Sequence, residues 1–258
     1  MSSILNKLRD SSAVDTSKDL EDFKGAGGFV QESGVYDCVI NKAFLIEASS
    51  GAIGIYLNLG GEAQFETTEY ISTRELKTYY SKNGKDFSLP SYIFAKKLNY
   101  LATGDVINSI TDFKAENRLV KHYKLVEDPD NEDKKKRVDA DQEAEVLTEW
   151  IGKEVKVAFQ MCEKEKQVKQ SDKYVSTGEV VKDKEGNPYL EPQIIDIFNV
   201  DGFTASELVE NKQSETLAKV EARLEKNPVR KFRAKKPKSG ASKPSTSGSK
   251  PVARPSVF

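Results

Sequence analysis

Apolar and polar residues alternate along two segments of the chain, and this alternation predicts two half-buried β-strands. In residues 53–59, Ile and Leu alternate with Gly, Tyr and Asn; in residues 154–161, Val, Phe and Met alternate with Glu, Lys, Ala and Gln. Three further runs, residues 35–46, 65–71 and 194–200, are rich in residues that favour strands. The chain is therefore expected to be built mainly from β-strands.

Helical signals occur in three places. Residues 90–104 place apolar side chains at the helical period, with Ser91 able to cap the start and a glycine at the end. Residues 72–75 and 204–207 each have the spacing of a capping box. The first predicts a short helical turn, and the second predicts a helical stretch that stops before Pro228.

Polar segments divide the chain into parts. Residues 1–28 are expected to form a flexible N-terminal arm, because they end in a run of glycine and alanine. The charged residues 127–145 predict a solvated loop or insertion, and residues 163–188 predict a long projecting hairpin or lobe. The sequence thus predicts one domain over residues 29–225 with charged insertions, followed by a disordered basic tail over residues 226–258.

The predicted order is strand, strand, strand, helix, strand, strand, and then a terminal helix. This order indicates a β-rich α+β protein. More narrowly, it predicts an OB-fold, a five-stranded barrel with a helix between strands three and four, with insertions and a C-terminal helix added. Because many small α+β proteins share the same order, the order alone is weak evidence for an OB-fold.

Several stretches resemble phage-encoded single-stranded DNA-binding proteins. They are residues 34–40 with 51–57, residues 89–92 with 98–104, and residues 197–208, all within the region from about 30 to 210. The resemblance implies an OB-fold that coats transient single strands during phage DNA replication, recombination and repair in the host cytoplasm. The chain departs from this family at its end, because many members have an acidic tail before the terminal Phe.

The charge distribution shows this departure. Residues 226–258 contain ten Lys or Arg and no Asp or Glu, whereas residues 1–225 contain 30 basic and 41 acidic side chains, a net charge of −11. Such a tail is expected to contact DNA phosphates or to bind host or phage replication or transcription proteins, or else only to keep the protein soluble. The candidate partner-binding residues are Lys235, Lys236, Lys250, Arg254 and Phe258. The alternative function is therefore an adaptor that recruits host polymerase or replication machinery through this tail.

Single-strand binding without sequence preference needs aromatic rings for stacking and cations along the phosphates. Such residues, among them Phe87, are densest between positions 74 and 92. A looser mixture of basic and aromatic residues spans residues 118–124. The predicted DNA-binding residues are Tyr56, Arg74, Lys77, Tyr79, Tyr80, Lys82, Lys85, Tyr92 and Lys156. Any one of these tyrosines could equally belong to the core, and any one lysine could be an ordinary solvated charge.

Other chemistry has little support in the sequence. Cys38, Cys162 and the single histidine, His122, lack the short spacing of a metal site, so no metal and no cofactor are expected. With two cysteines and no long apolar run, a reducing cytoplasm and no membrane are expected. Residues 154–156, Glu-Val-Lys, resemble half of a metal-dependent nuclease site, whose second acid would be sought at positions 139 or 141. A non-enzymatic protein is favoured.

Overall fold

The structure, a computed structural model, describes residues 30–128, 131–170 and 173–232. The strands are β1 (Gly34–Glu47), β2 (Ile53–Gly61), β3 (Phe65–Tyr70), β4 (Tyr79–Lys82), β5 (Lys85–Ser88), β6 (Glu116–Asp128), β7 (Asn131–Val146), β8 (Glu154–Glu163), β9 (Glu165–Gln170), β10 (Lys173–Val180), β11 (Leu190–Phe198) and β12 (Val229–Arg230). The α-helices are α1 (Pro90–Thr103), α2 (Ala205–Val209) and α3 (Thr216–Lys226).

Five strands form the central sheet in the order β11–β8–β1–β2–β3, with every neighbouring pair antiparallel. The prediction of a β-rich α+β protein is confirmed, and α1 lies in sequence between the third and fourth of these strands. Within the described residues β3 and β11 do not pair with each other, so the five strands do not close into a barrel. β4 with β5 and β9 with β10 form two separate hairpins, and the second lies where the sequence predicts a projecting hairpin.

The main core lies between the inner face of this sheet and α1. The alternating apolar residues of β2 and β8 point into it, as the pattern predicts, and they meet Phe94 and Leu98 of the helix. Trp150 is also buried there and donates its indole N–H to Asn99 Oδ1 at 2.9 Å. A buried indole needs such a partner for its only donor.

Helix α1 is joined to both edges of the sheet by polar contacts. On one side the Ser91 hydroxyl donates to Glu69 of β3 at 3.1 Å, so Ser91 is not the predicted cap; Leu89 occupies that position without a side-chain cap. On the other side Lys97 lies 3.7 Å from Asp196 of β11, with both side chains buried. The helix therefore bridges the two edges that do not pair with each other. Its end at Gly104 agrees with the prediction.

The charged segment 127–145 is not a loop. Most of it belongs to β6 and β7, which pair over almost their whole length to form a hairpin called here the arm, residues 116–146. The prediction of a loop was wrong, whereas the alternative prediction of an insertion stays a prediction. The loop was predicted because these strands form mainly by pairing with each other, so they lack the apolar alternation of a strand that covers a core. The predicted helical turn at residues 72–75 is also absent; a hydrogen-bonded turn takes its place.

The C-terminal part begins and ends as predicted up to residue 226, but it forms two helices, α2 and α3, where the sequence predicts one helical stretch. The capping box at Thr204 and Glu207 is present, and α3 ends before Pro228. β12 then pairs in parallel with the end of β8, where Val229 lies opposite Met161. The Phe232 amide donates to Glu163 at 2.8 Å. The packed body thus extends to residue 232, beyond the predicted boundary at 225.

Candidate nucleic-acid interface

The hairpin of β4 and β5 presents aromatic and basic side chains on one face. Tyr80 lies opposite Phe87, and Lys82 lies opposite Lys85, so all four side chains share a face of the two-stranded ladder. The rings of Tyr80 and Phe87 stack with centroids 5.6 Å apart and an interplanar angle of 25°. They are 43% and 42% exposed, respectively. This face, residues 80, 82, 85 and 87, is called here the stacking face.

The turn of this hairpin is set by the sequence. Asn83 and Gly84 both have positive φ, 54° and 72°, as a two-residue hairpin turn of type I′ requires. Asn-Gly is the dipeptide that adopts this turn most readily. The turn fixes the register, and the register places the two lysines beside each other next to the rings.

The cations of this region differ in their availability. Within the described part of the chain, Arg74, Lys82 and Lys85 form no ion pair, whereas Lys77 lies 2.7 Å from Glu75. The hydrogen bond from Lys77 lowers the pKa of the Glu75 carboxyl. An unpaired surface cation can approach a phosphate without first breaking another contact. We therefore regard Arg74, Lys82 and Lys85 as better phosphate contacts than Lys77.

A groove of 880 Å³ lies next to the stacking face. Its walls are the loop 48–52, the end of β3 at Tyr70, and residues 72–81, which include Arg74 and Tyr79. The structure thus brings together most of the residues predicted between positions 74 and 85. Tyr80 belongs to both the groove and the stacking face, so the two form one continuous surface.

The wall that carries Arg74 is held by Thr73. The Thr73 hydroxyl accepts N–H bonds from Glu75 and Lys77 at 3.2 and 3.3 Å, and its backbone bonds to Leu76 and Lys77. Leu76 has a φ of 61°, which is uncommon for a non-glycine residue. Such backbone is retained where the surroundings fix it, often at ligand-binding loops. Arg74 is therefore presented by a well-fixed turn.

Tyr70 belongs to this surface but is absent from the sequence-based predictions. Its side chain is 46% exposed and lines the groove. The signal was the alternation in β3, where Phe65, Thr67 and Glu69 are buried and Tyr70 is exposed. The pattern was missed because the buried set contains Thr and Glu, which apolar periodicity does not mark.

Two predicted stacking residues lie elsewhere. Tyr92 is 4% exposed in the main core, and Lys96 of the next helical turn lies over its ring. Tyr56 is 5% exposed on the outer face of β2, where the arm covers it. Burial and the nearby Glu66 carboxylate raise the pKa of Tyr56 to about 12. Neither ring has an open face for a base in this structure.

Lys156 is also separate from the groove. It lies opposite Asp37 on β1 and pairs with its carboxylate, and this hydrogen bond raises the pKa of Lys156. Glu62 and Glu154 line the same 600 Å³ hollow. The acid that pairs with Lys156 is therefore Asp37, whereas positions 139 and 141 lie on β7 of the arm. Among the described residues, no three or more His, Cys, Asp or Glu side chains are placed to hold a metal ion.

Three sets of predicted residues remain: the two cysteines, the looser mixture of basic and aromatic residues, and the tail candidates. Cys38 and Cys162 are buried free thiols, and burial raises the pKa of Cys38 to about 12. Arg118, Lys121 and Tyr123 of the looser mixture lie on β6 of the arm. The tail candidates, Lys235, Lys236, Lys250, Arg254 and Phe258, lie outside the described residues.

None of the helices in the described ranges has the length and apolar character needed to span a membrane. No protein family, curated protein or solved structure matches this chain.

Proposed function

We propose that this protein binds single-stranded DNA without sequence preference and coats transient single strands during phage DNA replication and recombination in the host cytoplasm. The observation that carries the proposal is the stacking face, where two exposed stacked rings lie beside two unpaired lysines. Aromatic rings can stack on any base, and lysines can follow any phosphate backbone. The surface therefore suits a ligand recognised by its unpaired bases and its charge. DNA repair is a further process in which the protein would bind such single strands.

The strand order supports an OB-fold interpretation of the sheet. The order β11–β8–β1–β2–β3, with a helix between the third and fourth strands, matches the order of a five-stranded OB-fold that is open between β3 and β11. OB-folds are often only partly closed, and they bind oligonucleotides on strands two and three and the adjoining loops. The groove lies at the start of β2 and the end of β3, in the corresponding place. The correspondence with OB-folds is one of strand order, and it adds to the chemistry of the site.

The mechanism is stoichiometric binding. A base stacks on the Tyr80–Phe87 pair, neighbouring phosphates contact Lys82 and Lys85, and the strand continues into the groove past Arg74 and Tyr70. A duplex offers phosphates but keeps its bases paired and stacked, so it cannot use the rings. Binding to the open strand then shifts a hairpin towards its melted form by mass action.

The test is a titration of fluorescein-labelled oligo-dT, followed by anisotropy at low salt, with the full chain and the variant Tyr80→Ala plus Phe87→Ala. Stacking contributes about 1–3 kcal/mol per base, so losing the pair of rings on which one base stacks is expected to weaken binding by about fivefold or more. Tyr189→Ala is the matched control, because Tyr189 is 49% exposed but lies outside the stacking face and the groove. Affinity unchanged by the double substitution would contradict the assigned site, and no binding of oligo-dT would contradict the function.

The adaptor function is the second candidate, and one observation favours it. Residues 227–232 are seated on the sheet: the Gln160 side chain donates to the Asn227 carbonyl at 2.8 Å, and β12 pairs with β8. The basic tail therefore continues from a fixed point on the body. A chain that ends after Phe232 removes the tail candidates but keeps this attachment.

This truncated chain separates the two uses of the tail. If it keeps its affinity for oligo-dT but no longer retains host RNA polymerase or replication proteins in a pull-down, the tail binds protein. If affinity for oligo-dT falls and its salt dependence becomes shallower, the tail contacts phosphates. Truncation at residue 226 would be a poorer test, because it also removes β12.

A further inference from the structure

A pair of aromatic rings lies on the outer face of the sheet beneath the arm. Phe44 of β1 is directly opposite Tyr56 of β2, and their ring centroids are 4.7 Å apart. The ring of His122, from β6, lies 4.4 Å from Tyr56 and 5.3 Å from Phe44. The arm thus covers a ready-made aromatic platform with another ring.

This platform shares a face with the proposed DNA site. Tyr56 lies opposite Thr68, and the next pair on the same face of this ladder is Gly54 with Tyr70, so Tyr56 and Tyr70 are diagonal neighbours. Diagonal positions on one face of a sheet are about 7–8 Å apart, comparable to the spacing of extended nucleotides. A glycine is needed at position 54, because a Cβ there would lie 2.8 Å from the Thr68 methyl group and 3.2 Å from the Tyr70 ring. Tyr70 of the groove and Tyr56 thus lie on the same face of the sheet, with Thr68 packed over Gly54 beside them.

The described contacts between the arm and the sheet lie between the start and the middle of β6 and at the end of β7. Among the described residues, β7 pairs with β1 where Phe44 lies opposite Val146, and the amide of Leu147 donates to Ala43. The buried apolar residues here form a small cluster of Phe44, Tyr56, Ala144 and Val146, separate from the main core. Movement of the arm away from this face would therefore expose this cluster, while the main core packs elsewhere.

One of these contacts involves a cation on the same face. Lys42 lies opposite Asn58, next to the platform, and its ammonium donates to the Lys121 carbonyl of the arm at 3.1 Å. Movement of the arm would release this ammonium. On the other side of Tyr56 lies Glu66, which accepts a hydrogen bond from Asn58. Phosphates are thus expected on the Lys42 side of the platform.

We propose that Phe44 and Tyr56 form a second stacking platform for unpaired bases, which the arm covers in the free protein and a bound single strand uncovers. The inference rests on the proposed single-strand binding and extends its site across β2 and β1. It assigns the arm a role, as a cover that the strand must displace. It also explains why Tyr56, predicted from its position on the polar face of β2, is buried in the free protein.

The direct test is photo-crosslinking of the full chain to oligonucleotides that contain 5-iodouracil, with the attachment sites mapped by mass spectrometry. This base crosslinks to aromatic side chains on which it stacks. The expected result is crosslinks at Tyr56 or Phe44 in addition to Tyr80, Phe87 or Tyr70. Crosslinks restricted to the groove and the stacking face overturn the inference while leaving the proposed function intact. Absence of binding by the oligonucleotide contradicts the proposed function itself.

A second test weakens the cover and leaves the platform unchanged. His122→Ala removes the ring that lies over Tyr56, so less has to be displaced, and affinity for oligo-dT is expected to rise by about fivefold, the lower end of one base stack. His122→Phe keeps a ring over the platform and is expected to bind like the unaltered chain. Equal or weaker binding by His122→Ala, in a variant with unaltered circular dichroism and thermal unfolding, overturns the inference.

Discussion

The stacking face and the buried side of helix α1 contain the same residue types, tyrosine and lysine. These side chains are exposed on the stacking face and buried on the helix. Tyr80 and Lys82 lie on an exposed hairpin with no ion pair to the lysine, whereas Tyr92 and Lys97 lie inside, and Lys97 faces a buried carboxylate. Tyr80, Lys82 and Tyr92 lie in the segment 74–92, where basic and aromatic residues are densest, and Lys97 follows it in α1. The difference shows that a binding surface is defined by which rings are open and which cations are unpaired.

The largest effect is expected from the interior cation. Lys97→Met removes the partner 3.7 Å from Asp196 and leaves a buried carboxylate without its cation. Removing one member of a buried pair costs about 3–5 kcal/mol, so the free energy of unfolding should fall by that amount in a urea titration. Lys82→Met on the stacking face is the control and should change it by less than about 0.5 kcal/mol. Equal stability of the two variants would contradict the distinction between a structural lysine at position 97 and an exposed lysine at position 82.

The two tyrosines provide the next comparison. Tyr92→Ala opens a cavity beside the main core and should lower the free energy of unfolding by about 3 kcal/mol. Tyr80→Ala removes an exposed ring and should leave stability almost unchanged while weakening oligo-dT binding. Thermal unfolding and anisotropy on both variants measure the two effects. A large loss of stability in Tyr80→Ala would show that the hairpin is structural.

A third comparison, between a buried and an exposed carboxylate, uses the dependence of folding stability on pH. Burial alone would raise the pKa of Glu207, but hydrogen bonds from Thr204, Thr216 and Glu215 outweigh it and lower the pKa to about 2. Because this value lies below the ordinary 4.5, the stability that Glu207 supplies is complete above pH 4.5 and is lost as the pH falls towards 2.

The loss is expected to be about 3 kcal/mol, since the pKa falls from 4.5 to about 2 and one pKa unit corresponds to about 1.4 kcal/mol. Unfolding by urea at several pH values should show it in the unaltered chain and show less of it in Glu207→Gln, which is already less stable at neutral pH. Glu75→Gln is the exposed control and should leave the pH profile nearly unchanged, since Glu75 makes only a surface pair with Lys77. A pH profile identical in all three proteins would contradict the assignment to Glu207.

The smallest effect concerns the lysines of the stacking face. Lys82→Gln plus Lys85→Gln should reduce oligo-dT affinity by about tenfold or less at low salt. It should also lower the slope of log affinity against log salt by about 1.4, the value for two phosphate contacts on a single strand. Lys182→Gln plus Lys184→Gln, two exposed lysines of another turn, is the matched control. An unchanged slope in the first variant would remove Lys82 and Lys85 from the site.

Much of the fold could be predicted from local patterns. The strands β2 and β8, the helix that ends at Gly104 and the capping box at Thr204 all follow from period and capping chemistry. The arm could not be predicted in this way, because its strands satisfy their backbone groups mainly by pairing with each other. Tyr70 was missed for a related reason: the buried residues beside it include Thr67 and Glu69, so the alternation is not apolar.

The sequence by itself determined the β-rich architecture, the order of the five central strands with α1, and the stretch in which rings and cations are concentrated. It also determined the hairpin turn at Asn83 and Gly84, which sets the register of β4 with β5. Only the tertiary structure decided that Tyr80 is open, that Tyr56 is covered by the arm and that Lys156 is paired with Asp37. The physical reason is that alternation and turn chemistry act between neighbours in sequence, whereas exposure and ion pairing depend on segments far apart in the chain.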